Sequence, residues 1–542
     1  MTSEPSGVGI NARRTIGREA AALLLFVLAA TCGLALWAAR VHSATPVIMD
    51  ELVYLWQARW LAVGQLTRPA PAFPEFVSVS FLPILDGRRF GHYPIGFPAA
   101  LAPAVAAGAP WALNVLLGGL SLAMLHRLCR RLDGPWVAWV ATILLALSPF
   151  FVIQATTFFN HLLTLFLTLV ALLAMEKRER SRCPSRWTAV AGAATGYALN
   201  VSPFVAAPMA LVALERGISA RHVVPLSVRE VAAFAVPTVA GLLLFLAVNR
   251  ATTGDPLRPG YFVNTTYVAH KPGFGGSVGE GGYTPAMALG NTAERLALMN
   301  RILFGWPLTS FLFAGPYLAF LLAAPAGRRR LRARPDAARD AETRPDRWDR
   351  THLVLLTSTV GIFALWFFPA ADEGLGPRYL FTTLPSLVVF TARGLAGLRD
   401  LGRRVAAARR GGAAIAGALP FVLVASLVAA GTIPSLARLA EGPLARWRRG
   451  THSFLSDLER RGVVRGTIFV ESPEETTLAA SLLFASGFDE TGDLVFAMNR
   501  GPEENARFLE RRPEGPVYYV KPRMQTSTWQ LHDRPVWERR AG

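Results

Sequence analysis

Long runs of apolar residues dominate this chain and constrain its fold more than any other feature. A run of roughly 17–25 apolar residues is long enough to cross the hydrocarbon core of a bilayer as a helix. Such runs lie near residues 20–40, 110–131, 135–153, 160–176, 229–248, 299–323, 352–370, 378–396 and 412–434. The apolar region 187–217 contains Asn200, Ser202 and Pro203, which favour two short helices over one long helix. The sequence therefore predicts an α-helical polytopic membrane protein with about eleven transmembrane helices.

The distribution of charge predicts how these helices cross the membrane. The chain is 52% hydrophobic and 17% charged, with a net charge of +19. Its basic residues concentrate in short loops between apolar runs, which is typical of cytoplasmic loops and argues against nucleic-acid binding. These loops are residues 126–134, 176–187, 215–229, 324–351 and 397–411. We therefore expect a cytoplasmic tail at residues 1–19 and, from the Arg- and Ala-rich composition, a multi-pass protein of a bacterial plasma (inner) membrane.

The outward side holds the longer and more irregular segments. With the N-terminus inside, residues 41–109 and 249–298 become outward loops of a membrane domain that spans 20–436. From Gly466 onward, short apolar strands alternate with helical segments, which indicates a β-α-β-α-β unit. We expect residues 437–542 to form a small soluble α/β domain on the extracytoplasmic side. Because functional residues concentrate in loops held by a rigid scaffold, we also expect the site on that side.

The segment VIMDELVYLWQARW, residues 47–60, places two adjacent carboxylates just after the first apolar run. A helix that begins near Asp50 would carry Tyr54 and Gln57 on the same face as Asp50. Two interpretations stay open on this local sequence alone. Asp50 is either a solvated N-cap, followed by a favourable first-turn charge at Glu51, or a general base in a partly dehydrated pocket.

Other polar residues lie at the predicted outer ends of membrane helices. An arginine at this depth is costly without a partner, so Arg378 either meets an anionic ligand or pairs with Asp372 or Glu373. Asn160 and His161 follow an apolar run and are expected near the first outward loop. His161 is either a substrate-binding residue or an ordinary surface histidine.

The sequence gives little support to a metal or nucleotide cofactor. It contains no cluster of Asp, Glu and His at metal-ligand spacing, so no cofactor is expected to be required. A divalent cation shared by Asp50 and Glu51 is left open. The C-terminal region has no glycine-rich phosphate-binding loop.

Several motifs, taken in order, resemble a known family. They are DELVYLWQARWLAVGQL at 50–66, DGRRFGHYPIGFPAALA at 86–102, SPFFVIQATTFFNH at 148–161, NRATTGDPLRPGY at 249–261 and GPRYLFTTLPSL at 376–387. Together they resemble the family-39-type glycosyltransferases, which include protein O-mannosyltransferases and the aminoarabinose transferases of lipid A. The resemblance covers most of residues 20–400.

This resemblance implies a fold, a donor and a set of site residues. It implies the GT-C membrane fold, a polyprenyl-phosphate-linked sugar as donor, Asp50 as catalytic base and Glu51 as a neighbour that orients or binds substrate. His92 stands where relatives often carry a basic residue, and Ile95 replaces the second proline of their Tyr-Pro-Pro motif. With the helix face and the outer-surface residues above, the substrate-binding residues expected are Tyr54, Gln57, His92, Tyr93, Asn160, His161, Arg378 and Tyr379.

The expected function is therefore a membrane glycosyltransferase of the cell envelope. It would move a hexosyl or pentosyl group to a hydroxyl of a lipid, glycan or protein on the outer face of the membrane. A base for the acceptor and cations for the departing phosphate are what this chemistry needs. The main alternative is a transporter or flippase of lipid-linked substrates, and a non-catalytic scaffold is a third.

Overall fold

The structure is a computed structural model of the whole chain. It describes residues 7–220, 226–263, 273–275, 282–323, 346–365, 375–408, 413–471, 477–523 and 526–533.

Most of the described chain is helical. The helices of the first half are α1 (Gly7–Arg40), α2 (Met49–Leu61), α3 (Pro74–Val77), α4 (Gly96–Ala106), α5 (Ala112–Leu132), α6 (Pro135–Leu147), α7 (Pro149–Ala155), α8 (His161–Arg178), α9 (Pro184–Leu199), α10 (Pro203–Ser219) and α11 (Val228–Thr253). Those of the second half are α12 (Pro285–Ile302), α13 (Ala314–Ala323), α14 (Asp346–Ala364), α15 (Leu384–Ala408), α16 (Ala413–Leu427), α17 (Ile433–Ala440), α18 (Pro443–Arg460), α19 (Thr477–Leu483) and α20 (Pro502–Glu510). Short 3₁₀ segments occur at Gly260–Phe262, Arg378–Thr383 and Phe484–Ser486, and a π-helical turn at Val428–Thr432.

The strands are short and fall in two groups. They are β1 (Arg68–Pro69), β2 (Ile84–Leu85), β3 (Arg88–Arg89), β4 (Gly466–Val470), β5 (Leu494–Met498), β6 (Val517–Arg523) and β7 (Thr528–His532). The first three form a small antiparallel sheet, in the order β1-β3-β2, within the first predicted outward loop.

Several helices are suited to a membrane. Among the described residues, five helical segments are long and apolar enough to cross one: Gly17–Arg40, Ala112–Leu132, Val228–Thr253, Arg378–Ala407 and Ala418–Arg460. A sixth arises if α6 and α7, which meet at a bend of 64°, count as one broken span. In α11 the most apolar stretch is not buried inside the protein, as expected for a helix that contacts lipid. These apolar helices indicate a membrane-embedded protein. The number of eleven crossings stays a prediction.

Two of the predicted apolar runs are each broken into two helices, and the sequence predicted only one of these breaks. The region 187–217 forms two helices, α9 and α10, as predicted. The run 299–323 was expected to be continuous, but α12 ends at Ile302 and α13 begins at Ala314. Gly305 between them has φ +67°, and a side chain there would meet Ser435. The chain therefore turns at Gly305 to pack against α17, which a continuous helix would not allow.

A second sheet lies in the C-terminal region. Its strand order is β5-β4-β6-β7, with β4 parallel to β5 and β6, and β7 antiparallel to β6. Strand β7 had no counterpart in the sequence-derived unit. Because β4 lies between two parallel neighbours, its five residues are all buried, as the apolar run GTIFV suggests. The domain boundary at residue 437 stays a prediction.

The C-terminal sheet packs against the first outward loop. Phe76 and Val77 of α3 share an apolar cluster with Phe469, Val495 and Phe508. The rings of Phe76 and Phe508 are stacked with centroids 4.7 Å apart. The loop and the C-terminal region therefore share one hydrophobic core, which fixes the loop against that region.

Candidate active site

A cavity of about 640 Å³ lies beside the first turn of α2. Seven of the residues predicted for the site line it: Asp50, Tyr54, Tyr93, Asn160, His161, Arg378 and Tyr379. These residues come from separate parts of the chain, and the fold brings them together around one space.

Asp50 presents its carboxylate to this cavity from the first turn of α2. The residue at the N-cap position is Ile48, so the interpretation of Asp50 as an N-cap is wrong. The side chain of Asp50 is 16% exposed, which leaves it in contact with the cavity but largely removed from solvent. The amide groups of the first helical turn favour a negative charge at this place.

Arg378 faces Asp50 across the cavity. Its guanidinium nitrogen Nη1 lies 3.6 Å from Asp50 Oδ2, and its side chain is 18% exposed. The guanidinium also lies over the ring of Phe159, 5.1 Å from the ring centroid. The alternative partners Asp372 and Glu373 lie outside the described residues. The cavity thus holds one carboxylate and one guanidinium within ion-pairing distance.

Aromatic rings form much of the remaining wall. The ring centroids of Tyr54 and Tyr93 are 4.3 Å apart, and the ring of Tyr261 meets Tyr93 at 5.5 Å. On the other side, Phe363 is stacked on Tyr379 at 5.4 Å. Burial raises the pKa of Tyr261 well above its ordinary value, so its phenol stays neutral. A wall of this kind suits a ring-shaped ligand that has both apolar faces and hydroxyl groups.

Solved structures that are similar to this chain include bacterial and archaeal transferases. The apo structure of ArnT, an aminoarabinose transferase, from Cupriavidus metallidurans is 14% identical over 93% of this chain and 93% of that chain, with a TM-score of 0.51. The structure of the same protein bound to undecaprenyl phosphate is 14% identical over 92% and 93%, with a TM-score of 0.48. The apo oligosaccharyltransferase of Archaeoglobus fulgidus is 13% identical over 91% of this chain and 69% of that chain, with a TM-score of 0.46. No protein-family model and no curated protein sequence matches the chain.

The chain has the GT-C fold. The fold that the sequence motifs implied is thereby confirmed. The similarity rests on the course of the whole chain and not on a conserved sequence, because the identity is only 14%.

Glu51 does not face the cavity that Asp50 lines. Its side chain is fully buried on another side of α2, where both carboxylate oxygens contact Arg448 Nη2, at 2.7 and 2.8 Å. It also accepts backbone N–H groups from Val47, Ile48 and Phe158 at 3.0–3.3 Å. With these contacts Glu51 has no access to a ligand in the cavity. We therefore expect it to affect the site only by holding α2 in position.

Gln57 and His92 line a neighbouring cavity of about 570 Å³. Gln57 donates its side-chain amide to the carbonyls of Gly91 and Tyr93, at 3.3 and 2.9 Å. The ring of His92 is buried between Phe81 and Tyr261, with centroid distances of 4.4 and 4.9 Å. Burial lowers the pKa of His92 well below its ordinary value, so it is neutral at pH 7 and does not supply a positive charge for a phosphate.

Some lining residues were missed by the sequence reasoning. The polar ones are Thr164, Ser202, Tyr261 and Thr382. Tyr261 ends the motif NRATTGDPLRPGY, and its place in a motif that resembles the family was the available signal. Thr164 on α8, Ser202 just before α10 and Thr382 in the 3₁₀ segment had no distinguishing pattern, because Ser and Thr are common in membrane helices.

The described residues contain no group of three or more His, Cys, Asp or Glu side chains that could hold a metal ion. The sequence left open a divalent cation shared by Asp50 and Glu51. In the structure Asp50 faces the cavity, whereas Glu51 is in a buried ion pair with Arg448. Glu51 already has donors on both oxygens, so within the described part of the chain Asp50 is the carboxylate left to meet a cation in this cavity.

Proposed function

We propose that this protein is a membrane glycosyltransferase that moves a sugar from a polyprenyl-phosphate donor to an acceptor hydroxyl. The observation that carries the proposal is the pairing of Asp50 with Arg378 in an aromatic-walled cavity of a GT-C fold. ArnT of Cupriavidus metallidurans, whose apo structure shares this fold, binds undecaprenyl phosphate. The proposed acceptor is a lipid, glycan or protein at the outer face of the bacterial plasma membrane.

The proposed reaction is a single displacement at the anomeric carbon. Asp50 takes the proton of the acceptor hydroxyl as its oxygen attacks that carbon. The bond between the anomeric carbon and the phosphate oxygen breaks, and its electron pair stays on the phosphate. Arg378 stabilises the negative charge of this leaving group, and the configuration of the sugar inverts.

The contact between Asp50 and Arg378 supports a defined order of events. A phosphate offers the guanidinium a stronger, bidentate partner than a single carboxylate at 3.6 Å. Donor binding would therefore draw Arg378 toward the phosphate and leave Asp50 to meet the acceptor. The aromatic wall would exclude water, which otherwise competes with the acceptor as a nucleophile.

The test compares Asp50→Asn with wild type in purified, lipid-reconstituted protein. A labelled polyprenyl-phosphate sugar is the donor, and envelope extract from a deletion strain supplies the acceptors. Asp400→Asn, a surface substitution of the same type, is the matched control. We expect Asp50→Asn to bind donor but to transfer sugar about 100-fold or more slowly, the range for loss of a general base. Near-normal transfer by Asp50→Asn would refute the mechanism, and movement of intact donor across the bilayer without product would indicate a transporter.

A further inference from the structure

Arg448 makes a buried ion pair directly beneath the first turn of α2. Its side chain and that of Glu51 are both fully shielded from solvent. Arg448 Nη2 contacts both oxygens of Glu51, and Nη1 donates to the carbonyl of Thr45 at 2.5 Å. Arg448 belongs to α18, which forms the end of the membrane-compatible helical segment Ala418–Arg460 and precedes the C-terminal sheet.

Glu51 connects this ion pair to both sides of the proposed active site. It is the chain neighbour of Asp50, so its position sets the start of α2 and the direction of the Asp50 side chain. It also accepts the backbone N–H of Phe158 at 3.0 Å. The next residue, Phe159, provides the ring over which the Arg378 guanidinium lies. A shift of Glu51 would therefore move the supports of both Asp50 and Arg378.

The C-terminal sheet holds α18 in place. The indole ring of Trp529 on β7 lies 5.6 Å from that of Trp447, and its N–H donates to Thr451 at 3.1 Å. Gly450 lets the helix lie against the backbone of Ser527, because a side chain there would overlap the Ser527 carbonyl. Three contacts within about one turn of α18 thus fix the helix that carries Arg448.

The same sheet region also holds the first outward loop. Arg89 Nη1 donates to the carbonyl of Phe488 at 2.5 Å. The carboxylate of Glu490 accepts the backbone N–H groups of Ala72 and Phe73, at 2.6 and 3.1 Å. The loop that follows α2 and the turn that precedes it are therefore both attached to the C-terminal part of the chain.

From these contacts we infer that Arg448 is a positioning residue for Asp50, through which the C-terminal sheet sets the geometry of the active site. The inference rests on the proposed function for its catalytic consequence. Its structural part, that the N-terminal turn of α2 depends on Arg448 and Trp529, is independent of any substrate. Removing the guanidinium leaves the Glu51 carboxylate buried without its cation, and α2 would have to move to hydrate it.

The experiment uses the full-length protein in lipid nanodiscs with four variants: Arg448→Met, Arg448→Lys, Trp529→Leu and, as control, Arg446→Met. Arg446 lies on the same helix but is exposed. Hydrogen exchange of the peptides covering residues 45–58 is measured first. We expect at least tenfold faster exchange there in Arg448→Met and Trp529→Leu, a smaller effect in Arg448→Lys, and none in Arg446→Met.

Transfer kinetics with the labelled donor form the second readout. We expect Arg448→Met to lower kcat at least tenfold while the KM for donor stays within twofold of wild type, with partial recovery in Arg448→Lys. A merely structural role would lower the amount of folded protein and leave kcat per folded molecule unchanged. If Arg448→Met does not fold, Arg448→Lys and Trp529→Leu decide the question.

The outcomes separate this inference from the proposed function. Exchange and kcat in Arg448→Met that equal those of Arg446→Met would overturn the inference. Wild-type protein that transfers no sugar would refute the proposed function, and the exchange measurement would still decide whether Arg448 holds the first turn of α2.

Discussion

Asp50 and Glu51 are adjacent in the chain, yet their carboxylates lie on different sides of α2. Asp50 faces the cavity and Arg378, whereas Glu51 is fully buried against Arg448. Successive residues of a helix point about 100° apart, so two adjacent side chains cannot share one face. Two carboxylates that look equivalent in the sequence therefore have different environments, and substitutions at the two positions should give different results.

The first prediction concerns stability. We expect Glu51→Gln to lower the free energy of unfolding by about 3–5 kcal/mol, because it leaves the Arg448 guanidinium buried without a counter-charge. Asp50→Asn should lower it less than Glu51→Gln does, because Asp50 lies at a cavity and contacts Arg378 at 3.6 Å, whereas Glu51 is fully buried in a close ion pair. Thermal unfolding in detergent measures both. The double variant Glu51→Gln/Arg448→Met should be less destabilised than the sum of the single variants, and an additive result would contradict this account.

The second prediction concerns the donor phosphate. Arg378→Gln should weaken binding of unlinked polyprenyl phosphate about 10- to 100-fold, the loss expected for hydrogen bonds to a charged group. Native mass spectrometry of the detergent-solubilised protein measures the affinity. Arg301→Gln, an exposed arginine at the end of α12, serves as the control and should bind normally. Equal affinity in Arg378→Gln and wild type would exclude Arg378 as the phosphate-binding cation.

The third prediction concerns acid stability. Burial, and then the positive charge of Arg448, lowers the pKa of His42 to about 3, against roughly 6.5 in an unfolded chain. The neutral ring stabilises the fold fully above pH 6.5, and this contribution falls as the pH drops toward 3 because the unfolded state binds the proton more readily. At pH 5 the loss is about 2 kcal/mol. Melting temperatures of wild type and His42→Asn between pH 8 and 5 should converge on acidification, whereas the exposed-residue control His452→Asn should parallel wild type.

The fourth prediction concerns the attachment of the outward loop. Phe76 is 1% exposed and packs on Phe508 of α20, in the C-terminal region. Phe76→Ala should cost about 3–5 kcal/mol of local packing and release the loop. Limited proteolysis should then cut within residues 66–90 faster than in wild type. Leu257→Ala, at a side chain that is 78% exposed, should leave the digestion pattern unchanged, and an unchanged pattern in Phe76→Ala would disprove the shared core.

The sequence indicated the features that depend on local spacing. Apolar runs indicated helices α1, α5, α8 and α11, and the polar break at residues 200–202 indicated two helices in place of one. The four-residue spacing of Asp50 and Tyr54 placed both on one helical face, and both line the cavity. Gln57 is seven residues after Asp50 and lies on the same helical face. It is about 10 Å further along the helix axis, however, and lines a different cavity.

What only the tertiary structure decided is which distant residues meet. The sequence predicted that Arg378 meets an anionic ligand or a carboxylate of its own loop, and the structure brings it to Asp50, more than 300 residues away in the chain. Nothing in the sequence around Arg448 distinguishes it from the arginines beside it, yet it alone among Arg446, Arg448 and Arg449 is fully buried against Glu51. Local periodicity determines the face on which a side chain lies, whereas a contact between residues far apart in the chain depends on how helices and sheet pack. The sequence by itself thus determined the helices and the candidate acid, and the packing of the C-terminal region onto α2 decided how that acid is held.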